Sequence, residues 1–342
     1  MSKYCQSLDN EIKDYFKVLE PDFPAWLNEY IDTKELLFQK NISVTCGTIY
    51  STLFESKFFF SSLDHSVAVA LIIWHFTHDK KQTLSGLFHD IATPAFKHCI
   101  DFLNGDYMTQ ESTEDLTTKI LKNSPEIMAL LKRDNIQILE VDNYHLYPIA
   151  DNDTPKLSSD RLEYSLSNAL FTYRLRSLDE ISEIYNDIVI EHNEENEIEL
   201  GFKTKKIARA FVKLTSQLSI IYRENRTRFS MQFLADILKK LNEEKVISID
   251  DLYHLKETEV IKIIENSKYK DVFKTWKNAK KIFISKTEPK DVYFVHHGAK
   301  VRYIDPLFKG TRMSECCKIA KKMIDKNLSY NMDGYIHLNF KF

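Results

Sequence analysis

The dipeptide His89-Asp90 ends the apolar run GLFHD and sets two ligand-type side chains at the close of a helical segment. His65 precedes it in DHSVAVA, and Asp160 follows it in SSDRLEY. Two neutral imidazoles and two carboxylates suit one borderline or hard divalent cation such as Mn, Fe, Co, Ni or Zn, with Mg also compatible. Such a cation keeps positions open for water and a substrate oxygen. It lowers the pKa of its water toward ~7 and polarises a phosphoryl oxygen, so the chemistry is hydrolytic. A buried polar pair at a helix end is the competing account. The dipeptide alone does not choose, since His78-Asp79 is a second one in the same chain.

Helices must position these residues. Only 7 glycines and 8 prolines punctuate 342 residues, and 43% of the chain is hydrophobic, so a mainly α fold with a substantial core is expected. Helical segments fill residues 10–45, interrupted by the turn EPDFPAW. One helix runs from Ser61 through DHSVAVALIIWHFTHD, and KKQTLSGLFHD forms the next. Thr93-Pro94 reads as an N-cap followed by proline at the first helical position, so a fresh helix begins there and carries His98 and Asp101 on one face. Ser158 or Ser159 caps the helix of SSDRLEYSLSNALFTYRL, which leaves Asp160 in its first turn with Tyr164 and Asn168 along the same face. Alternation in DVYFVHH and KVRYIDPLF predicts a small β-ribbon near the end.

Lys+Arg 47 against Asp+Glu 50 gives a net charge of −3, which argues against a nucleic-acid-coating surface. Five cysteines without a CxxC pair read as free thiols in a reducing compartment. The N-terminal residues lack the apolar run of a signal peptide, and VAVALIIW is too short to span a bilayer, so a cytoplasmic protein is expected.

The ordered set DHSVAVA, GLFHDIATPAFKH and SSDRLEY resembles the HD-domain metal-dependent phosphohydrolases, and within them the deoxynucleoside triphosphate triphosphohydrolase branch. The likeness spans roughly residues 50–180 by its motifs. It implies an HD-type helical bundle, and the polar, charged stretch EHNEENEIELG sets a boundary near residue 195, so the bundle is placed at 50–195, preceded by a helical segment (1–49) and followed by a helical region (196–342) that ends in the β-ribbon. It further implies that His65, His89, Asp90 and Asp160 bind one metal, and that His98, backed by Asp101, stands near the scissile phosphate. Glu111 is the neighbouring acid. Where these enzymes carry a histidine before that glutamate, this chain has Gln110, which cannot protonate a leaving group. Arg161 and Tyr164 match residues that face substrate, and Asn168 would lie with Tyr164 near the sugar.

Ser62 and Thr93 replace an arginine and a histidine that many relatives place near the phosphates. The implied substrate is a nucleotide or another phosphorylated small molecule. A phosphomonoesterase, a phosphodiesterase and a slow, nucleotide-binding regulatory protein remain as alternatives. The resemblance also carries an expectation of homo-oligomers.

Overall fold

The computed structural model describes residues 3–103 and 116–342. Gln110 and Glu111 therefore lie outside the described residues. The fold is mainly α, with two small sheets. Among the described residues, no helix is long and apolar enough to cross a membrane.

The Ser62–Thr77 helix is the central element. Residues 62 to 73 are all buried, as expected of a helix without a polar face. Its start is fixed by a capping box, in which Ser61 Oγ accepts from Asp64 N and the Asp64 carboxylate accepts from Ser61 N. Tyr4 Oη donates to the same carboxylate at 2.6 Å. This arrangement sets the first turn, and therefore His65, before any site residue contributes. The Lys80–Phe88 helix packs alongside, starting at Asp79, whose carboxylate accepts from the amides of Lys81 and Gln82. Contact is close at Gly86, where an added Cβ would lie 2.2 Å from Ile73 Cδ1 and 3.2 Å from Val69 Cγ1. The Ser159–Ser167 helix, capped by Ser158, crosses the first turn of the central helix, and continues into a wider-wound turn at Asn168–Thr172.

The helix expected from Pro94 begins only at Cys99, and runs Cys99–Leu103. Phe96 and Lys97 intervene with φ of +64° and +44°, and consecutive left-handed residues cannot continue a right-handed helix. The proline therefore opens a turn rather than a helix.

The strands also depart from the single terminal ribbon. A hairpin of β1 (Ile188–His192) and β2 (Ile198–Phe202) arises in a stretch whose polar residues mask its alternation. β3 (Phe283–Ser285) and β4 (Phe294–Val295) flank β7 (Tyr335–His337) in one sheet. In the other, β2 pairs in parallel with β5 (Leu307–Phe308), which turns back on β6 (Thr311–Arg312). DVYFVHH and KVRYIDPLF thus contribute strands to two different sheets. β4 and β5 each found a partner distant in sequence, β7 and β2, which a local two-residue period does not reveal.

Among the described residues, two large apolar clusters and a small third one of Val69, Ile73 and Ala150 form the interior. One of the large two gathers Tyr15, Leu71, Phe88, Leu162, Phe171, Phe211 and Ile324; the other gathers Phe96, Phe102, Phe233, Trp276, Val295 and Ile336. Both draw residues from either side of residue 195.

Candidate metal centre

His65, His89 and Asp160 come together from three helices. His65 lies in the first turn of the Ser62–Thr77 helix, His89 caps the end of Lys80–Phe88, and Asp160 lies in the first turn of Ser159–Ser167. His65 Nε2 lies 3.1 Å from Asp160 Oδ1 and 3.2 Å from His89 Nε2, and His89 Nε2 lies 3.7 Å from the same Asp160 oxygen. These three ligand atoms lie within 4.8 Å of one another and could hold a metal ion. Asp90 stands just beside them, with Oδ2 3.8 Å from each histidine Nε2.

Partners behind the rings decide which nitrogen faces the centre. His89 Nδ1 lies 2.7 Å from the carbonyl of Gly86, an acceptor only, so Nδ1 carries the proton and Nε2 presents a lone pair. His65 Nδ1 is hydrogen-bonded to Glu163, a fully buried carboxylate that also accepts from Tyr15 Oη at 3.2 Å and Ser167 Oγ at 3.2 Å. Such a carboxylate behind an imidazole raises its basicity and orients it as a ligand. Two ring nitrogens and a carboxylate oxygen therefore converge with nothing but electron pairs to offer, an arrangement that needs a cation or a proton between them.

The electrostatics express the same need. Burial disfavours a charged His65, but the carboxylates of Glu163 and Asp160 outweigh it and push the ring up to about 10. Burial likewise works against an ionised Asp160, and the adjacent imidazoles override it, drawing the carboxyl well below its usual range. Asp90 is also held far down, against burial, by Lys97 and the two histidines.

The centre lines a cavity of about 300 Å³. His98, Arg161, Tyr164 and Asn168 line it too, as do Ser167 and Thr93. His98 Nδ1 pairs with the fully buried Asp101 at 2.8 Å, despite the altered helix start. Arg161 reaches Asn152 Oδ1 at 2.6 Å and Asp151 Oδ1 at 3.4 Å. Asn168 donates to the carbonyl of Tyr164, which fixes the two beside each other.

Several lining residues have no role in the sequence reading. Lys97 and His145 join the cavity, His145 through a 2.9 Å contact with Asp151, and Tyr144 packs its ring 5.0 Å from that of His89. A segment from the C-terminal region, residues 299–303, brings Lys300 and Arg302 into the cavity lining. Buried arginines anchor that segment. Arg228 donates to the carbonyl of His297, and Arg223 donates to Asn327, whose amide donates to the carbonyl of Arg302 at 3.3 Å. Glu163 was detectable, since it follows Asp160 by one turn; Lys300 and Arg302 carried no local signal.

No family model matches the chain. It is 24% identical over 259 residues to the uncharacterized protein YdhJ of Bacillus subtilis (strain 168), covering 75% of this chain and 76% of that protein. In structure it is similar to a hypothetical protein from Aquifex aeolicus, with a TM-score of 0.61, 16% identity and 92% of each chain covered. That likeness establishes a shared fold.

Proposed function

We propose that the chain is a metal-dependent phosphohydrolase built on an HD-type helical bundle and acting on a nucleotide, in the manner of the deoxynucleoside triphosphate triphosphohydrolases. The observation that supports this most is the convergence of His65 Nε2, His89 Nε2 and Asp160 Oδ1 in a cavity that Lys97, Arg161, Lys300 and Arg302 also line. His65, His89 and Asp160 would hold a divalent cation, with Asp90 beside them. Bound there, the cation would supply Lewis acidity, acidifying water and drawing charge from a phosphoryl oxygen.

The chain's own groups do the rest. Glu163 and the Gly86 carbonyl keep both imidazoles turned inward. His98, oriented by Asp101, is placed to pass a proton to the departing oxygen. Arg161, held against Asn152 and Asp151, offsets phosphate charge, and the lining cations extend that field across the cavity. Tyr164 and Asn168 face the sugar.

Product analysis tests this reading. The purified protein is assayed for bound metal and incubated with a panel of nucleotides beside an Asp160→Ala control. Tripolyphosphate released by the wild type and absent from the control is the expected result. Orthophosphate alone would identify a monoesterase on the same site. Bound metal without any product would leave a nucleotide-binding protein.

A further inference from the structure

His145 brings a second histidine–carboxylate pair to the cavity. It lies in the single turn Tyr144–Leu146, whose start is set by Asn143, the side chain of which accepts from the His145 amide. The ring lines the cavity and is half-exposed, and its Nδ1 meets the buried Asp151 Oδ2 at 2.9 Å. His98 with Asp101 shows the same order, a buried acid behind an imidazole that lines the open space.

Asp151 is shared. Its other oxygen, Oδ1, accepts from Ser158 Oγ at 3.1 Å and meets Arg161 at 3.4 Å, so one buried carboxylate steadies both His145 and Arg161. Arg161 is fixed further by Asn152 Oδ1, and Asn152 in turn donates to the carbonyls of Pro148 and Leu157. The imidazole and the guanidinium are thus presented as a unit, and an anion that meets one meets the other. A carboxylate behind an imidazole favours the protonated ring, whose outer nitrogen then donates to that anion.

Spacing assigns the part of the ligand that this unit takes. The Tyr144 ring lies 5.0 Å from that of His89 and 4.4 Å from that of His145, so His145 stands one aromatic ring removed from a metal ligand. A single phosphoryl group at the metal centre is served by the residues already described. Further groups along a phosphate chain extend away from that centre, and His145 and Arg161 are the pair that a carboxylate holds ready beyond it.

We propose that His145, held on Asp151 beside Arg161, grips the outer groups of a phosphate chain and so selects polyphosphate over monophosphate ligands. This rests on the phosphohydrolase reading above and adds to it a specificity-determining residue from a turn that carried no motif.

Isothermal titration calorimetry of the full-length protein, with Mn²⁺ in excess over the phosphate, tests the assignment. Inorganic tripolyphosphate and orthophosphate are titrated into the wild type, H145Q and H145R. The wild type should bind tripolyphosphate the more tightly. H145Q should lose about tenfold for tripolyphosphate and less than about twofold for orthophosphate, the signature of one lost charge-assisted hydrogen bond at the outer groups. H145R, which keeps a cation at that position, should regain most of the loss. An H145Q protein that binds both as the wild type does, or that loses both equally, would overturn the proposal, as would a wild type without preference for tripolyphosphate. Because binding is read without turnover, the two readings fail separately. His145-dependent tripolyphosphate binding without product from any nucleotide keeps the grip and removes the hydrolase. Tripolyphosphate released from a nucleotide by an H145Q protein of unchanged affinity removes the grip and keeps the hydrolase.

Discussion

Glu163 does its work at a distance of one ring. Its carboxylate sits behind His65, fully buried, and makes no contact with the space a metal would take. Replacing it with glutamine keeps the shape and removes the charge, so Glu163→Gln should weaken metal binding by about 10- to 100-fold with little change in circular dichroism. The same carboxylate sets a proton balance. With His65 raised to about 10, the metal-free ring is protonated at neutral pH, and a metal must displace that proton. Affinity should therefore rise as pH increases toward 10, with close to one proton released per ion at pH 7. Calorimetry in buffers of different ionisation enthalpy would read that number, and zero release would refute the assignment. At this scale His65, His89 and Asp160 were legible because their types and order restrict the chemistry. Lys97 was not, since a lysine in the middle of PAFKH looks like any solvated cation until the backbone turns it inward.

Among the elements, the contact between the Ser62–Thr77 and Lys80–Phe88 helices carries two of the three ligands. Gly86 sits at the tightest point, against the fully buried Ile73, and its carbonyl also orients His89. Gly86→Ala should destabilise the protein by about 1–3 kcal/mol through overpacking, measured by urea denaturation, and should loosen metal binding as His89 shifts. A stable variant with unchanged affinity would show that the two helices have more room than the packing indicates. Caps at Ser61, Asp79 and Ser158 made the helix starts readable, because their side chains bond to nearby amides. The turn at residues 94–98 was misread by the same rule: Thr93-Pro94 has the composition of a helix start, and the amide of Ala95 donates instead to Leu252. The hairpin of β1 and β2 was hidden for a related reason, its strands being short and joined by the polar, acidic turn of residues 193–197.

Across the whole molecule, Glu257 joins distant parts of the chain. Fully buried, its carboxylate accepts from the amides of Ser43 and Phe96 at 3.1 and 3.3 Å and from Tyr50 Oη at 3.1 Å. Burial outweighs these bonds and pushes its pKa from 4.5 up to about 7. The folded state then binds a proton more tightly than the unfolded chain. Its contribution to stability is full below about 4.5 and is lost as pH rises through about 7. Wild-type unfolding free energy should decline over that interval relative to Glu257→Gln, in urea titrations at stepped pH; parallel pH profiles would contradict the assignment. The low glycine and proline content indicated a mainly α fold, but no local pattern could show that Phe102 and Phe229 belong to one apolar cluster.

The wall formed by residues 299–303 has a consequence for biosynthesis. A ribosome delivers His65, His89 and Asp160 long before it delivers Lys300 and Arg302. A nascent chain can thus gather its ligands while one side of the cavity is still missing. Closure waits on contacts of very large sequence separation, which form slowly. If the centre takes a metal as proposed, its capture would precede the closure that selects what enters the cavity.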